Sequence, residues 1–532
     1  AGYNYEAKYY RDLTAANDGL LSEDLSDFNL AKGTTNFTLN GGRNEYAIMG
    51  WFYRAAYDYK GKYLAEVNGR YDGTSRFPRG KRYGFFPSFS AAYRISEEAF
   101  FEPLRKTVDN LKIRLSYGSL GNQQIGYYDF IQTITTKGSM GDYSFDGTIL
   151  GQHATVSDPV SGNQTWEKVI SKNLGADLNM FSNRLSLTAD FYIRDTKGIL
   201  GKGKSLPSIY GANEPQVNSN NLRTKGYELV LGWRDSFKLA GSTFSYGITG
   251  TFSDYTAEYT KCDNPSGLIG DPYVGKKYGE IWGYKVDGLF RNDEEAAEYA
   301  SRVDLSKVAA GYYSATGAYG KGVRGGDIKY LDLDGSGIVD GGKGTLEDPG
   351  DRRVIGNSSP RYQYGLTLNL SWYGFDLSVF MQGIGRLDWY PGADNLRFWG
   401  PYSRPYATFI PKNFMSQVWS ESNPDAYLPR ARAYTSLNST QGTAYYTNDR
   451  YLQNLAYCRL KNLTLGYTIP KRLTSKVGIK ECRVYFSGEN LATWSALKND
   501  FLDPEQAAAD SDKKSNVYPW CRTYSVGLNL TF

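Results

Sequence analysis

Several residue types that build catalytic and metal centres are scarce in this chain of 532 residues. Its one histidine, His153, cannot supply the paired ligands of an HExxH site or any other His-based metal site, and we expect it on a loop surface. The chain also lacks a GxSxG and a Walker sequence, and acid pairs are uninformative among 56 acidic residues. We therefore expect a protein that is not an enzyme and that has no organic cofactor.

Cysteine is nearly as scarce, and its spacing excludes the common redox and zinc motifs. The four cysteines are far apart and form no CxxC, which favours structural or incidental thiols: Cys262, Cys458, Cys482 and Cys521. Cys458 and Cys482 flank neighbouring predicted strands, although their spacing does not determine whether they pair. The net charge of +5 is too small to indicate a nucleic-acid partner.

Long hydrophobic runs are also lacking. No stretch of about 18 apolar residues occurs, so the sequence contains no candidate transmembrane helix. The first residues have neither the basic region nor the apolar core of a signal peptide. A polar chain with 46 tyrosines and 59 glycines fits a soluble β protein or a membrane β-barrel, in which only alternate residues face lipid.

What the sequence does contain is long alternation of apolar and polar residues. Leu185, Leu187, Ala189, Phe191 and Ile193 alternate with polar or charged residues, and the same pattern recurs near 366–372 and 463–469. Alternation with period two indicates strands with one apolar and one polar face. Several segments extend over 11–15 residues, longer than the usual strand of about 5–6 residues and suited to a tilted membrane crossing.

The alternation predicts thirteen strands, near 44–58, 61–73, 83–95, 109–119, 165–178, 183–198, 222–236, 242–257, 360–372, 374–386, 455–469, 481–491 and 522–532. Short joins alternate with long ones near 120–164, 199–221, 258–359, 387–454 and 492–521. This asymmetry is typical of outer-membrane barrels, which have short periplasmic turns and long extracellular loops. We expect Ser96–Val108 to be a short helix with a serine cap, and residues 1–43 to be an extracellular loop.

The last residues resemble the assembly signal of outer-membrane barrels. Apolar side chains alternate from Tyr524 to the terminal Phe532, and this strand should run inward and leave the C-terminus in the periplasm. Bacterial single-chain barrels have even strand numbers, so an odd count of thirteen predicts that further strands lie upstream of Ala1 or on a second piece of the chain.

Several segments, in order along the chain, resemble the C-terminal barrel of SusC/RagA-type TonB-dependent transporters. They include NGRYDGTSRFPRGKRYGFFPSFSAAYRIS (68–96), TWEKVISKNLGADLNMFSNRLSLTADFYIRDT (165–196), GDIKYLDLDGSGIVD (326–340), PRYQYGLTLNLSWYGFDLSVFMQG (360–383), SGENLATW (487–494) and FLDPE (501–505). The resemblance covers nearly the whole chain.

This resemblance implies an all-β fold, a transmembrane antiparallel barrel of 22 strands of which residues 1–532 are the C-terminal part. The plug domain and the segment that contacts TonB would belong to an N-terminal portion outside this chain. The family imports oligosaccharides or peptides in the outer membrane of Bacteroidetes-type bacteria. It works with a SusD-like surface lipoprotein, and the resemblance suggests a dimer of such pairs.

One local motif predicts a cation site. Oxygen ligands at positions 1, 3, 5 and 9, a backbone carbonyl at position 7 and a glycine at position 6 match the start of an EF-hand-like loop: Asp332, Asp334, Ser336, Ile338 and Asp340. Position 12 is Lys343 rather than Glu, so Asp348 or Asp351 would have to close a structural Ca²⁺ or Mg²⁺ site. The alternative is an Asp/Gly-rich turn without metal.

Aromatic residues in the long joins are candidates for contact with sugar rings or peptide side chains, because Tyr and Trp combine apolar area with a polar tip. They are Tyr127, Tyr128, Phe398, Trp399, Tyr402 and Tyr406. The alternative is that they pack the joins together or contact a lid protein. Charged strand residues should face the lumen, because a basic residue facing lipid at mid-membrane costs roughly 2–4 kcal/mol: Glu66, Arg70, Lys112, Arg114, Asp190 and Arg194.

Four functions remain open from the sequence. The first is TonB-coupled import of a nutrient oligomer, a glycan in preference to a peptide. The second and third are a passive porin-like barrel and an adhesive barrel without energised transport. The fourth is a soluble β enzyme such as a glycoside hydrolase, which would need a committed pair of carboxylates and leaves the loop asymmetry unexplained.

Overall fold

The computed structural model describes the chain except for residues 21, 23, 25–26, 34–35, 139–143, 146–147, 150–151, 205, 314–321, 405–407, 409, 411, 433–436, 438–441, 499–501, 510–517 and 519. Its main element is one antiparallel sheet of 14 strands, in which each strand pairs with the next along the chain. None of the helices in the described residues has the length and apolarity that crossing a membrane requires.

The strands of this sheet, in chain order, are β1 (Gly2–Ala16), β2 (Thr38–Tyr59), β3 (Tyr63–Thr74), β4 (Tyr83–Arg94), β5 (Val108–Asn122), β6 (Glu167–Met180), β7 (Leu185–Lys202), β8 (Gln216–Leu239), β9 (Ser242–Lys261), β10 (Arg361–Trp372), β11 (Phe375–Arg386), β12 (Tyr457–Thr468), β13 (Glu481–Ser495) and β14 (Thr523–Thr531). The order begins with β1 and ends with β14, which are the two edges.

The prediction that residues 1–43 form a loop is wrong, because β1 and the start of β2 lie within them. The sheet therefore has 14 strands rather than thirteen. Tyr3, Tyr5, Ala7 and Tyr9 do alternate with polar residues, but their polar character concealed the pattern. Tyr3 pairs with Trp51 of β2, at 5.1 Å between ring centroids, so the partner strand makes this polar segment a strand.

The joins between strands alternate between the two ends of the sheet. The joins at one end, which we call the short joins, span 60–62, 95–107, 181–184, 240–241, 373–374 and 469–480. The joins at the other end, which we call the long joins, span 17–37, 75–82, 123–166, 203–215, 262–360, 387–456 and 496–522, and of these only 75–82 is shorter than the longest short join. The predicted loop at 199–221 is shorter than expected because β7 and β8 extend beyond the predicted strands.

The predicted helix at Ser96–Val108 is replaced by two 3₁₀ helices, Ile95–Glu97 and Ala99–Leu104, and neither has a side-chain cap. Pro103 lies inside the second one, and a proline there removes the N–H that a longer α-helix would need. The α-helices all lie in the joins: Asp293–Ala300, Ala310–Tyr313, Leu396–Trp399, Lys471–Thr474 and Pro504–Ala509. Short strands in the joins span Ile134–Gly138, Ser144–Phe145, Thr148–Ile149, Gln152–Val156, Glu280–Tyr284, Val286–Leu289, Ile328–Tyr330, Arg352–Asn357, Asp388–Trp389 and Gln453–Asn454.

The register separates an apolar face from a polar face of the sheet. On the apolar face, Leu115 pairs with Leu174 across β5 and β6, Leu174 with Phe191, and Phe191 with Tyr227. Leu115, Leu174 and Phe191 are about half exposed, at 54, 49 and 54%. Exposed large apolar side chains in such numbers indicate a face that is covered by something other than water.

Aromatic rings border this apolar face at both ends. Near the short joins, Tyr63 lies 6.4 Å from Tyr59 and 5.1 Å from Tyr93, measured between ring centroids. Near the long joins, Trp51 lies 5.1 Å from Tyr3 and 6.4 Å from Tyr71. Two aromatic girdles around an apolar band are typical of a β-sheet that crosses an outer membrane.

The largest hydrophobic core lies outside the sheet, in the long joins. It includes the fully buried Phe290, Leu305, Ile328, Tyr330 and Leu455, and we call this cluster the loop core. Segments 262–360 and 387–456 supply most of it, and Leu502 and Ala507 of the join 496–522 complete it, so these three joins pack against one another.

The remaining predictions concern the cysteines and His153. Cys458 lies in β12 and Cys482 in β13, and both are thiols. The backbone of His153 belongs to the short strand Gln152–Val156 in the join after β5, and its side chain lies outside the described part of the chain.

Candidate functional site

Charged side chains on the polar face form ion pairs across neighbouring strands. Arg114 of β5 contacts Asp177 of β6 and Asp190 of β7, each at 2.9 Å. Asp190 also accepts a hydrogen bond from Asn173 at 2.8 Å. Strand register places the six charged residues named from the sequence on this same face: Glu66, Arg70, Lys112, Arg114, Asp190 and Arg194. The polar face thus presents charged, hydrogen-bonded side chains on the side of the sheet opposite the apolar face.

Tyr127 and Tyr128 follow β5 and lie at the long-join end of the polar face. The Arg76 guanidinium carbon lies 4.3 Å from the ring centroid of Tyr46 and 4.9 Å from that of Tyr127. The hydroxyl of Tyr128 donates to the carbonyl of Glu45 at 3.2 Å, and its side chain is 39% exposed. Tyr46, Arg76 and Tyr127 are partly exposed and Tyr128 is exposed, and such aromatic rings with a neighbouring guanidinium can stack on a sugar or a peptide group. Neither Arg76 nor Tyr46 was predicted from the sequence, because their approach to Tyr127 depends on the folding of the join.

Trp399 and Tyr402 lie in the loop core and have the packing role that the sequence left open. Trp399 is 0% exposed, and its ring centroid lies 5.1 Å from that of Tyr451. Tyr402 is 3% exposed and donates its hydroxyl to the Pro429 carbonyl at 2.6 Å. Phe398 is buried beside them, and Tyr406 lies outside the described residues. The surface contact predicted for Trp399 and Tyr402 requires exposed rings, which this packing does not provide.

The predicted cation loop brings three carboxylates together. Oxygen atoms of Asp332, Asp334 and Asp351 lie within 4.8 Å of one another. Asp332 accepts the N–H groups of Gly335 at 2.8 Å and Gly337 at 2.9 Å, which closes the loop around its carboxylate. Of the two acids considered for closing the site, Asp351 is the one that joins this group.

The other residues of the motif are arranged differently from an EF-hand. The Ser336 hydroxyl donates to the Ile338 carbonyl at 3.0 Å. Asp340 accepts the N–H of Gly342 at 2.7 Å, and its carboxylate is outside the three-carboxylate group. A cation at this place would thus be held mainly by Asp332, Asp334 and Asp351, which supply the hard oxygen ligands that Ca²⁺ and Mg²⁺ prefer.

Burial sets the electrostatics of Asp351. The residue is 0% exposed, and burial raises the pKa of its carboxyl above the usual range, with Asp334 adding to the rise. The N–H groups of Leu333 at 2.6 Å and Asp340 at 2.9 Å oppose that rise. Hydrogen bonds from Ser336 lower the pKa of Asp334. A cation would favour the charged form of all three groups.

An ion-pair cluster holds the join after β13 against β12. Arg459 is 1% exposed in its side chain and contacts Asp503 at 2.5 Å and Glu505 at 2.9 Å. Lys461 contacts Glu505 at 2.7 Å. The FLDPE segment was noted in the sequence, but no local signal indicated its basic partners.

Comparison with known proteins gives the family. Residues 1–491 match the family described as "TonB dependent receptor-like, beta-barrel". The chain belongs to this TonB-dependent receptor family.

The same comparisons find relatives of the predicted type. The chain is 26% identical to TonB-dependent receptor P3 of Formosa agariphila, over 100% of this chain and 50% of the relative. It is 23% identical to TonB-dependent receptor SusC of Bacteroides thetaiotaomicron, over 91% of this chain and 44% of SusC. The structure of the RagAB peptide transporter aligns with a TM-score of 0.73 at 21% identity, covering 100% of this chain and 53% of that one.

These matches confirm the SusC/RagA-like resemblance and the transporter-type β-barrel fold. The chain spans about half the length of the curated relatives it matches. Because the TonB-dependent receptor barrel is an outer-membrane family, the apolar face between the two aromatic girdles is the lipid-facing surface and the polar face is the inner wall. Members of this family transport rather than catalyse, in keeping with the expectation of a non-enzyme.

Proposed function

We propose that this chain is the C-terminal part of a TonB-dependent importer of nutrient oligomers, with a glycan as its substrate class and a peptide as the alternative. The family match over residues 1–491 carries the proposal. The charged inner wall and the partly exposed Arg76 and Tyr127 support it, because polar oligomers need hydrogen-bonding and stacking partners. The chain contributes binding and a pathway, not bond chemistry.

The proposed partners follow from the SusC/RagA resemblance. They are a SusD-like surface lipoprotein that closes over the long joins, TonB acting through the N-terminal portion of the same transporter, and outer-membrane lipid. The proposed assembly is a dimer of transporter–lipoprotein pairs. The long joins face outside the cell in this arrangement, and the C-terminus at Phe532 faces the periplasm.

Deleting the gene of the full-length transporter tests this function. The deletion strain, complemented with the full-length gene, would be grown on fluorescent or sole-carbon oligosaccharides and, separately, on oligopeptides. We expect the deletion to abolish uptake of one oligomer class and a TonB deletion to abolish it equally. Uptake that persists without TonB would instead indicate a passive porin, and unchanged uptake of every oligomer would indicate an adhesive barrel.

Tyr127 and Tyr128 are the proposed substrate contacts in this chain. Replacing an aromatic platform by alanine typically removes stacking that is worth about 0.5–1.5 kcal/mol, or up to roughly tenfold in affinity. We expect Tyr127→Ala, Tyr128→Ala and their combination to weaken oligomer binding to the purified full-length complex. Tyr313→Ala, which removes a 38% exposed ring from a different join, 262–360, is the control. Equal losses in the control would contradict a specific contact.

The carboxylate group is proposed as a structural site for Ca²⁺, with Mg²⁺ as the alternative. Three acids that meet within 4.8 Å repel one another unless a cation or protons compensate them. The proposed residues are Asp332, Asp334 and Asp351, with Ser336, Ile338 and Asp340 shaping the loop. Calorimetric titration of the full-length protein with CaCl₂ should show one site that Asp332→Asn/Asp334→Asn removes. Asp348→Asn is the matched control, and binding that survives the double variant would refute the site.

A further inference from the structure

A groove of about 670 Å³ lies on the lipid-facing surface, across β5 to β9. Its apolar lining includes Leu115, Leu174 and Phe191. Lys172 and Lys225 also line it. In β6, Lys172 lies two positions closer to the long joins than Leu174. In β8, Lys225 lies two positions closer to the long joins than Tyr227. The groove thus has an apolar body and a basic end, and we call it the lysine groove.

The register brings the two lysines to one row of the sheet. Lys172 pairs with Ile193, and Ile193 pairs with Lys225, so a single strand separates them. Two strand spacings put their backbones about 10 Å apart. The aliphatic part of a lysine side chain can lie along an apolar surface while its ammonium group extends toward a polar partner. The ammonium groups of Lys172 and Lys225 can therefore both reach one anion above Ile193.

Further positive charge surrounds this row on the same face. Lys168 and Lys197 stand directly opposite each other, an arrangement that is unfavourable for like charges without an anion. Within the described part of the chain, none of the four lysines Lys168, Lys172, Lys197 and Lys225 makes an ion pair within 4.0 Å.

The nearby acids do not neutralise the patch. Arg223 holds Asp195 at 2.6 Å, and Arg361 holds Asp254 at 2.5 Å, so these acids are already compensated. Glu258 faces Arg223 from β9. Six basic groups and three acids therefore leave an excess of three positive charges.

The position along the strand places these lysines at the rim of the membrane. Eight positions separate Lys225 from Trp233, which lies 6.2 Å from Phe181 near the short joins. Eight positions also separate Trp51 from Tyr59, at the two aromatic girdles of β2. Eight residues extend about 27 Å, or roughly 20 Å of height at the usual tilt, which is close to the full apolar band. A basic residue costs little there and faces lipid headgroups.

We propose that the lysine groove binds the phosphate-bearing headgroup of an anionic lipid in the extracellular leaflet. Lys172 and Lys225 contact the phosphate, Lys168 and Lys197 add attraction from above, and the acyl chains lie on Leu115, Leu174 and Phe191. The site rests on the membrane orientation proposed above, with the long joins outward, and it is independent of transport.

Binding of a fluorescent bis-phosphorylated lipid A to the full-length transporter in detergent micelles tests this site, and it requires neither transport nor orientation. Each basic residue near an anionic lipid contributes substantial attraction, so we expect Lys172→Gln/Lys225→Gln to weaken binding at least tenfold. The matched control is Lys106→Gln/Lys238→Gln, which removes two exposed lysines at the short-join end.

Three outcomes separate the sources of the anion. Loss of binding in the groove variant alone supports the lipid site, particularly if zwitterionic phosphatidylcholine binds both variants equally. Complete competition by millimolar inorganic phosphate would overturn the lipid assignment and leave a phosphate site. Equal affinity in wild type and groove variant would overturn the site altogether, and the thermal unfolding temperature would show that both variants are folded.

Discussion

Asp351 shows how one buried carboxyl can link pH to a cation. Because burial raises its pKa in the folded protein, its protonated form is the one that folding favours when no cation is present. That contribution to stability is present at low pH and is lost as pH rises through the raised pKa. A bound cation reverses the dependence, since it requires the charged form.

We therefore expect added CaCl₂ to raise the unfolding temperature of the cation-free full-length protein at about pH 7.5 and to raise it less at acid pH, because protonation of the Asp351 carboxyl competes with the cation. Asp351→Asn should remove the CaCl₂ effect at both pH values. Thermal unfolding of the full-length protein with and without CaCl₂ measures this. A CaCl₂ effect that persists unchanged at acid pH would contradict the role of Asp351.

Arg432 and Asp327 form a buried ion pair in the loop core. Their side chains are 7% and 1% exposed, and the two groups approach to 2.6 Å. Arg432 also lies 4.1 Å from the ring of Tyr312. Removing one partner of a buried pair leaves a charge without compensation, which usually costs about 3–5 kcal/mol.

Arg432→Met should therefore destabilise the joins strongly, and limited proteolysis at increasing urea would detect it as earlier cleavage. Arg404→Met is the control, because the Arg404–Asp394 pair is about half exposed and such pairs contribute about 0–1 kcal/mol. Similar cleavage in both variants would show that Arg432 and Asp327 do not hold the joins together.

At the scale of the element, each strand of the sheet has one face toward lipid and one face toward the polar inner wall. In β8, Leu229 faces lipid with Phe252 as its neighbour, and Val230 faces the inner wall beside Thr188 and Thr251. A shift of one residue would exchange these environments completely, since side chains alternate with period two. The faces thus follow from register as well as from sequence.

This predicts opposite outcomes for two adjacent substitutions. Leu229→Arg, midway between Trp233 and Lys225, should cost roughly 2–4 kcal/mol because it places a charge in lipid, whereas Val230→Arg should be tolerated by the wet wall. Heat-modifiable migration of the full-length protein on gels and urea titration in vesicles would measure both. Greater damage from Val230→Arg would reverse the assignment of the faces.

At the scale of the whole molecule, both edges of the sheet present exposed apolar strands. Tyr9 and Leu13 of β1 are 71% and 76% exposed, and Val526 of β14 is 80% exposed. An exposed long edge is a site for pairing with further chain. This agrees with a chain that spans about half of its relatives.

The alternating C-terminal strand is the proposed signal for assembly into the outer membrane. Phe532 is 72% exposed, and the rings of Tyr524 and Phe486 stack at 6.1 Å between centroids. We expect Phe532→Ser to reduce the assembled full-length transporter several-fold in outer-membrane fractions, while Thr531→Ser, on the other face, leaves it unchanged. Equal amounts of the two variants in the outer membrane would show that the assembly machinery does not recognise the ring of Phe532.

Local periodicity was sufficient to predict thirteen strands, the two faces of the sheet and the end that carries long joins. Alternation is a property of neighbouring residues, and it survives any rearrangement at longer range. The same logic placed Arg114 and Asp190 on the inner wall, because a charge in lipid costs too much. It failed at β1, whose polar tyrosines form a strand only because β2 pairs with them.

The contacts that only the tertiary structure decided join residues far apart in sequence. Arg432 meets Asp327 across 105 positions, Arg459 meets Asp503 across 44, and Asp351 joins Asp332 through a folded loop. The burial of Trp399 and Tyr402 likewise requires two long joins to pack together. The sequence by itself determined thirteen of the 14 strands, the alternation of their faces and the family, since these follow from local alternation and ordered motifs. The charged clusters and the loop core form only when residues that are far apart in sequence come together, and no local sequence pattern specifies such contacts.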